Sequence, residues 1–394
     1  MEQAGLAPDD RAWMMDVCAG VLRWRGRIDM ALDAVALQKK PSGYMRKILS
    51  IAAYQLMMQE KVPAALVVSE TVDEVKRKEG DAPARFANAV LRKIADHAKS
   101  WREMPFDPKA KMQDQAKWAS LPEWFWKKLV RDHGLEWAKE YALKTLERPE
   151  LWVRAQQPEK FVEEWGTAVA PGAVPASFRM IERPKGPVNE WKGFEKGKFF
   201  VQDISSQWVV DQVTAQLKNR PGFSSLRVLD YCAAPGGKTI GMAWNGVAVE
   251  STDSSSERFA LLQESVKRLA NSVRLIHTSE QEQIPISQYD LVWVDAPCTG
   301  SGLIGKHPDL RWGKTEDQLS ELVQIQSKLW KKIWDRLKPG AWMVYSVCSV
   351  LADEGPGHFK SIQNNNGQVL GEWLLCPQQS PFGEGFWATL IQKN

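Results

Sequence analysis

Two short segments of the sequence place a cysteine among small and polar residues, each directly after an apolar run. Cys298 lies in the segment 295–302, Asp-Ala-Pro-Cys-Thr-Gly-Ser-Gly, and Cys348 lies in the segment 345–349, Tyr-Ser-Val-Cys-Ser. A cysteine thiolate is a strong nucleophile, and a neighbouring carboxylate such as Asp295 can bind or orient a polar substrate. A single cysteine after a strand is more often a small buried residue of the core. Two of them, one beside an acid, predict a site for nucleophilic chemistry.

A glycine-rich loop precedes both cysteine segments in the chain. Residues 230–239 read Asp-Tyr-Cys-Ala-Ala-Pro-Gly-Gly-Lys-Thr, and Gly236 and Gly237 allow the backbone to approach a bound cofactor closely. The spacing matches neither the dinucleotide-binding fingerprint nor the phosphate-binding Walker loop. Asp253 closes the next predicted strand, where a carboxylate can accept hydrogen bonds from both ribose hydroxyls of a nucleoside. A lone Gly-Gly pair is more often a tight turn, but the whole pattern predicts a site for a nucleoside cofactor without a pyrophosphate.

These segments all fall in the last two hundred residues, where short apolar runs alternate with helical patterns. The predicted strands are 226–230, 247–252, 273–277, 291–294 and 341–346, and the predicted helices include 257–269 and 316–337. Alternating strands and helices predict a sheet of parallel strands, and ligands of such sheets bind at the carboxyl ends of the strands. We therefore expect the glycine-rich loop and both cysteines to lie at one edge of the sheet.

The first hundred residues have a different pattern, in which apolar residues recur every three or four positions. Helices are predicted over 9–24, 45–58, 65–78 and 84–97, and their short connections indicate a helical bundle. A polar segment at 105–115 follows, and then two short helices and strand-like pieces near 151–155 and 199–201. The expected organisation is a multidomain chain with an all-α bundle over 1–104, a small mixed α/β module over 105–195 and an α/β domain over 196–394.

The composition of the chain argues against several classes of protein. Of the 394 residues, 44% are hydrophobic and 25% are charged, as in folded globular proteins, and no apolar run is long enough for a membrane helix. The first residues lack the layout of a signal peptide. The five cysteines show neither a disulfide framework nor the paired spacing of a zinc site. We expect a cytoplasmic monomer with free thiols.

The charge of the chain is unevenly distributed. Residues 1–200 contain 34 Lys and Arg against 28 Asp and Glu, whereas residues 201–394 contain 18 against 20. A basic front half beside a nearly neutral back half favours an anionic partner that one domain holds while the other does chemistry. A scatter of solvated surface charges fits the same numbers.

The glycine-rich loop and the two cysteine segments, in this order, resemble the signature motifs of RNA (cytosine-5) methyltransferases. Segments 201–207, 307–312 and 385–390 resemble further blocks of the same enzymes, and segments 46–56, 62–63 and 87–92 resemble the NusB-like helical domain that is fused to them in the RsmB/Sun (Fmu) family. The resemblance covers nearly the whole chain. It implies an RNA-binding NusB-like bundle and a Rossmann-like class I methyltransferase domain. It also implies transfer of a methyl group from S-adenosylmethionine to carbon 5 of a cytosine in small-subunit (16S) ribosomal RNA.

The resemblance assigns roles to individual residues. It implies that Cys348 attacks the cytosine ring and that Cys298 assists release of the product. Asp295 would bind the base near ring nitrogen 3, and Lys238 would favour a thiolate or an anionic intermediate. The implied cofactor residues are Cys232, Ala233, Ala234, Pro235, Gly236, Gly237, Lys238, Asp253, Arg258, Ser279 and Asp295. No metal is implied.

Some positions depart from the family pattern. Ser279 stands where an aspartate near the adenine is expected, with Glu280 one residue further on, and Val347 replaces a threonine before the nucleophile. The bundle begins near the second or third helix of a NusB-like domain, which predicts a less stable bundle.

His307, Asp309, Arg311 and Trp312 are expected to line the loop after the Cys298 segment, where they either serve the site or hold the loop itself.

Other functions stay open on the sequence alone. An amine methyltransferase would place Asn/Asp-Pro-Pro-aromatic after the strand that here runs into Asp-Ala-Pro-Cys. An RNA-binding or ribosome-assembly factor without activity would keep the fold, but it would have no need of both Cys298 and Cys348. The motifs do not separate ribosomal from transfer RNA; the helical domain favours ribosomal RNA, either free or in an assembly intermediate of the small subunit.

Overall fold

The computed structural model describes residues 7–36, 40–363 and 367–394. The chain divides into two compact units, Met1–Glu147 with His307–Glu316, and Arg148–Lys306 with Asp317–Asn394. Among the described helices, none is both long and apolar enough to cross a bilayer.

The described residues of the first unit form helices and the loops between them. Its helices are α1 (Pro8–Val35), α2 (Gly43–Met58), α3 (Ala64–Glu79), α4 (Asp81–Asp96), α5 (Ala98–Arg102), α6 (Met112–Trp118), α7 (Glu123–His133) and α8 (Leu135–Leu146). The four predicted helices are confirmed, and the first of them extends to Val35. Gly80, at φ +92°, lies between α3 and α4, in a backbone conformation that favours glycine. Fully buried Ile28, Leu49 and Leu91 join α1, α2 and α4 in one core.

Residues 307–316 belong to this helical unit although they lie far from it in sequence. Arg311 is fully buried and donates hydrogen bonds to the backbone oxygens of Ser120 (3.3 Å) and Thr145 (2.6 Å). Burial lowers the pKa of Arg311 to about 9. The indole Nε1 of Trp312 donates to the backbone oxygen of Leu22 at 2.8 Å. The sequence left two roles open for this segment, to serve the site or to hold the loop itself. The hydrogen bonds of Arg311 and Trp312 hold the loop against the helices of the first unit.

Replacement of Arg311 by alanine is expected to lower the free energy of unfolding by about 3 kcal/mol, because two buried carbonyl groups lose a charged donor. Urea unfolding followed by tryptophan fluorescence measures the change. Arg77→Ala is the matched control, since Arg77 forms a solvent-exposed pair with Glu74, and it should change stability by less than about 0.5 kcal/mol. Equal stability of the two variants would contradict a structural role for Arg311.

The second unit contains two sheets. Its elements are β1 (Trp152–Ala155), α9 (Pro158–Trp165), β2 (Val169–Pro171), β3 (Ser177–Met180), β4 (Phe199–Val201), α10 (Ile204–Lys218), β5 (Val228–Asp230), α11 (Gly237–Trp244), β6 (Val249–Ser251), α12 (Ser256–Leu269), β7 (Arg274–Leu275), β8 (Leu291–Asp295), α13 (Glu316–Arg336), β9 (Trp342–Val347), α14 (Pro356–Gln363), β10 (Gly367–Leu375) and β11 (Phe386–Lys393).

The smaller sheet has the strand order β2-β3-β1-β4, with antiparallel pairing. Arg154 of β1 is buried and ties this sheet to the rest of the unit, since its Nη2 donates to Asp211 Oδ1 on α10 (2.5 Å) and to Asn245 Oδ1 (3.2 Å). The expected division into 1–104, 105–195 and 196–394 stays a prediction. By contacts, helices α6–α8 group with the first unit and strands β1–β4 with the second.

The larger sheet has the strand order β10-β11-β9-β8-β5-β6-β7. Strands β5 to β9 are parallel, as the sequence predicted, while β11 pairs antiparallel with β9, and β10 with β11. Fully buried Leu229, Trp293 and Val344 form its central core on both faces. The order places the carboxyl ends of β6, β5, β8 and β9 side by side, so the loops that follow these strands share one edge of the sheet.

Candidate active site

The glycine-rich loop makes a tight turn between β5 and α11. The N–H of Gly236 donates to the backbone oxygen of Ala233 at 2.7 Å, and Gly236 adopts φ +110°. A Cβ at this position would lie 3.1 Å from the Leu262 side chain, so glycine is needed both for the turn and for the packing. Gly236 is also the N-cap of α11 and offers no side chain to cap it. Backbone N–H groups at such a helix start suit an acceptor group of a ligand.

Asp253 holds the loop against the end of β6. Its Oδ2 accepts a hydrogen bond from the N–H of Ala234 (3.1 Å), and its Oδ1 accepts from the N–H of Ser255 (3.2 Å). Arg258 lies 3.5 Å from the same Oδ2 and donates to the backbone oxygen of Ala234 at 2.7 Å. Three predicted cofactor residues thus meet at one place. Asp253 is only 2% exposed, but a carboxylate has about four acceptor positions, and a ribose hydroxyl can use one of those remaining.

Two polar atoms at this edge of the sheet are buried without a hydrogen-bond partner among the described residues, Asp230 Oδ1 and Thr252 Oγ1. The other oxygen of Asp230 accepts from Thr239 Oγ1 at 2.6 Å. Burial raises the pKa of Asp230 to about 7, although the Thr239 hydrogen bond acts in the opposite direction. Buried polar groups are normally satisfied, so these orphaned atoms fit an edge that receives a polar ligand. The sequence placed Asp230 in the loop motif but gave it no role.

Ser279 does not join this cluster in the described part of the chain. Its hydroxyl lies 2.8 Å from His277 Nδ1, and its N–H donates to the same nitrogen at 3.3 Å. Ser279 and Glu280 are both exposed. The neighbouring Thr278 Oγ1 is buried without a partner among the described residues. The adenine contact expected from position 279 stays a prediction.

A chain of hydrogen bonds connects the glycine-rich loop to both cysteine segments. Lys238 Nζ donates to Asp295 Oδ2 at 2.6 Å, and Ser346 Oγ donates to Asp295 Oδ1 at 2.7 Å. Trp293 Nε1 donates in turn to Ser346 Oγ at 3.0 Å. The ammonium group of Lys238 also lies 5.1 Å above the ring of Phe386. Lys238 and Asp295 were predicted site residues, whereas Ser346 and Phe386 were missed, although each lies within a quoted motif.

Both cysteine thiols are held in the neutral form. Burial raises the pKa of Cys348 well above its usual value; the charge of Asp295 acts in the same direction and that of Lys238 in the opposite one. Burial also raises the pKa of Cys298, assisted by the charge of Glu354 and opposed by a backbone hydrogen bond from Gly300. Activation of either thiol therefore requires a change that a bound substrate or a proton acceptor supplies.

Two further ionisable groups of the site, Lys238 and Cys232, also have shifted pKa values. Burial disfavours the ammonium form of Lys238, but the charge of Asp295 and the hydrogen bond to it favour that form, and the net pKa of Lys238 is raised. Lys238 thus stays cationic in a largely enclosed place. The thiol of Cys232 has its pKa raised by burial and by the charge of Asp253, which leaves it unreactive. Among the described residues, no group of three or more His, Cys, Asp and Glu side chains could hold a metal ion.

Comparison with known families matches both ends of the chain. Residues 220–384 match the family described as 16S rRNA methyltransferase RsmB/F, and residues 1–96 match the NusB family. The first match contains the glycine-rich loop, both cysteines and the Lys238–Asp295 pair.

Individual relatives extend the similarity along the whole sequence. The ribosomal RNA small subunit methyltransferase B of Enterobacter sp. (strain 638) is 28% identical over 368 residues, which cover 89% of this chain and 82% of the relative. The protein of the same name from Erwinia tasmaniensis is 27% identical over 415 residues, which cover 100% of this chain and 92% of the relative.

Solved structures with the same fold are also known. The crystal structure of PH0851 has a TM-score of 0.72 at 21% identity and covers 99% of this chain and 92% of its own. The structure of NSun6 from Pyrococcus horikoshii with SFG has a TM-score of 0.60 at 17% identity, and covers 69% of this chain and 98% of its own. At these identities the likeness concerns the fold alone. The expected Rossmann-like, class I methyltransferase architecture of the C-terminal part is confirmed.

Proposed function

Because the chain belongs to the RsmB/Sun family of S-adenosylmethionine-dependent 16S ribosomal RNA methyltransferases, we propose that it methylates carbon 5 of a cytosine through a covalent bond between Cys348 and the base. The observation that carries this proposal is the chain Lys238–Asp295–Ser346. It joins the cofactor loop to the two cysteine segments, so that cofactor, base and thiols are served by one connected site. The family match of residues 1–96 to NusB supports RNA as the partner.

The loop edge of β5 and β6 fits the cofactor. The turn 231–236, the open start of α11 and the Asp253–Arg258 pair would hold S-adenosylmethionine, and the orphaned oxygens of Asp230 and Thr252 lie at the same edge of the sheet. When bound, S-adenosylmethionine supplies an electrophilic methyl group on its sulfonium. The protein's part is to orient that group and to exclude water from it.

The thiol of Cys348 prepares the base for methylation. Carbon 5 of cytosine is a poor nucleophile until a thiolate forms a bond to carbon 6, which moves electron density to carbon 5. Negative charge then develops on the ring. Asp295 accepts a hydrogen bond from the base edge near nitrogen 3, and the ammonium group of Lys238, which Asp295 holds, offsets the developing charge in an enclosed place.

Release of the product needs a proton transfer beyond the one that converts the Cys348 thiol into the attacking thiolate. After carbon 5 has accepted the methyl group, its proton must be removed so that the carbon 5–carbon 6 double bond can re-form and Cys348 can leave as a thiolate. Cys298 assists this step in the proposal. Its segment and that of Cys348 are joined directly, since the N–H of Gly302 donates to the backbone oxygen of Cys348 at 3.1 Å.

The proposed chemistry is tested by identifying the methylated atom. Unmodified small-subunit RNA is incubated with the protein and S-adenosylmethionine, digested to nucleosides and analysed by mass spectrometry, while calorimetry records cofactor binding separately. We expect 5-methylcytidine. Methylation at the exocyclic nitrogen or at a ribose hydroxyl would contradict the proposal, as would unmodified RNA from protein that binds the cofactor.

The rate of adduct formation is expected to rise with pH. The attacking group is the thiolate, and burial raises the pKa of Cys348 well above its usual value. Below its pKa, the thiolate fraction of a group increases tenfold with each pH unit. Single-turnover rates should therefore increase about tenfold per unit between about pH 6 and pH 8.5. Circular dichroism at each pH controls for unfolding. A rate that is constant above pH 7 would contradict a neutral resting thiol.

A further inference from the structure

A buried carboxylate lies behind the two cysteine segments. Glu354, in the turn between β9 and α14, is 0% exposed. Its Oε1 accepts hydrogen bonds from the N–H of Thr299 (2.7 Å) and from Gln326 Nε2 (3.1 Å). Its Oε2 accepts from Thr299 Oγ1 (2.5 Å) and from Ser349 Oγ (2.6 Å). The four donors match the acceptor capacity of a carboxylate.

Two of the three donor residues immediately follow the cysteines. Thr299 comes after Cys298, and Ser349 comes after Cys348, so one carboxylate ties the two segments together. A second connection runs beside it, because the hydroxyls of Ser301 and Ser349 lie 2.7 Å apart. The two thiols are therefore positioned by a shared anchor and not by two independent loops.

Stability alone is a weak reason for this anchor. A carboxylate loses much of its hydration when it is buried, and the donors that surround Glu354 are neutral amide and hydroxyl groups instead of a cation. An apolar side chain of similar volume would avoid that cost if the hydroxyl and amide donors around it were also replaced by apolar groups. What the carboxylate adds is a fixed geometry, because four hydrogen bonds from three elements converge on one group.

We propose that Glu354 is a positioning residue of the methyl transfer, which holds Cys298 and Cys348 in one arrangement through Thr299 and Ser349. The inference rests on the proposed function, since it concerns the two thiols of that reaction. Attack at carbon 6 and release after methylation use thiols in two segments that must both face one base. Misplacement of a reacting group by about 1 Å costs about 10²-fold in rate.

The test separates positioning from folding by a set of substitutions in the full chain. Glu354→Ala removes all four hydrogen bonds. Glu354→Gln keeps the shape, because its oxygen can accept from Thr299 N–H and its amide can donate to the hydroxyls. Thr299→Val removes one of the four hydrogen bonds, the one from Thr299 Oγ1, with little change in volume, and it remains informative if Glu354→Ala fails to fold. Thr214→Val is the matched control, since Thr214 is a buried threonine whose hydroxyl bonds only within α10, to the backbone oxygen of Val210.

The readouts are kcat, KM for RNA, cofactor affinity and the folded fraction. We expect Glu354→Ala to lower kcat about 10²-fold, and Thr299→Val about tenfold, with KM and cofactor affinity within about twofold of the parent. Glu354→Gln should recover most of kcat, and Thr214→Val should leave it unchanged. A kcat per folded molecule within about threefold of the parent in both Glu354→Ala and Thr299→Val would overturn the inference.

The same assay distinguishes failure of this inference from failure of the proposed function. If the parent protein produces no 5-methylcytidine, the proposed function fails, and with it the reason for placing two thiols. If the parent produces 5-methylcytidine through Cys348 while the Glu354 and Thr299 variants keep their kcat, only the positioning role fails.

Discussion

Replacement of Cys348 by alanine is expected to lower methyl transfer at least about 10³-fold, because the variant has no group to add to carbon 6 of the base. Without that bond, carbon 5 keeps too little electron density to accept a methyl group. Cys348 lies in the segment after β9 and is partly exposed, and the substitution makes no change in the cofactor loop. Single-turnover transfer of a radiolabelled methyl group measures the loss, and calorimetry should show cofactor affinity within about twofold of the parent.

The matched control for this prediction is Cys18→Ala. Cys18 lies on α1 and is exposed, so its replacement should leave both transfer and cofactor affinity unchanged. Retention of more than about a tenth of the parent activity by Cys348→Ala would mean that another group attacks the base, or that methylation proceeds without an adduct.

Replacement of Lys238 by methionine is expected to lower kcat by about 10²-fold to 10³-fold, the usual effect of removing one group that stabilises developing charge. Lys238 Nζ lies 2.6 Å from Asp295 Oδ2, and its side chain is 11% exposed. Its charge is therefore little screened by water. Methionine keeps the volume and the contact with Phe386 but removes the cation. The pKa of Cys348 should rise further in this variant, because Lys238 now lowers it.

Lys198→Met controls for the loss of a paired lysine elsewhere in the same unit. Lys198 is about half exposed and pairs with Glu164 on α9 at 2.6 Å, and this substitution should leave kcat within about twofold of the parent. If Lys238→Met raised KM for RNA while kcat stayed unchanged, Lys238 would bind substrate without stabilising the adduct.

The sequence was informative where local pattern determines the structure. Alternation of strands and helices predicted the parallel sheet, and the position of each motif after a strand predicted that the glycine-rich loop and both cysteines share one edge. That prediction follows from topology, because the carboxyl ends of neighbouring parallel strands lie together. The contact between Lys238 and Asp295 is a direct consequence.

Contacts between distant segments were not predictable in this way. Arg311 was expected to line the loop after the Cys298 segment, either serving the site or holding the loop, and it donates to the backbone oxygens of Ser120 and Thr145. Every residue carries such an oxygen, so the sequence contains no signal for the pairing. The role of Glu354 was missed for a related reason. In the sequence Glu354 is one acid five residues after Ser349, and only the fold brings Thr299 beside it. The antiparallel strands β10 and β11 were likewise not foreseen.

The proposed mechanism depends on a covalent bond between Cys348 and a cytosine, and trapping detects that bond itself. Cys298→Ala is mixed with unmodified small-subunit RNA and S-adenosylmethionine and analysed on a denaturing gel beside Cys298→Ala/Cys348→Ala. The proposed mechanism predicts a slowly migrating protein–RNA band for the single variant, because release is impaired, and its absence for the double variant. A band of equal intensity in the double variant, or no band from a single variant that binds the cofactor, would contradict the mechanism.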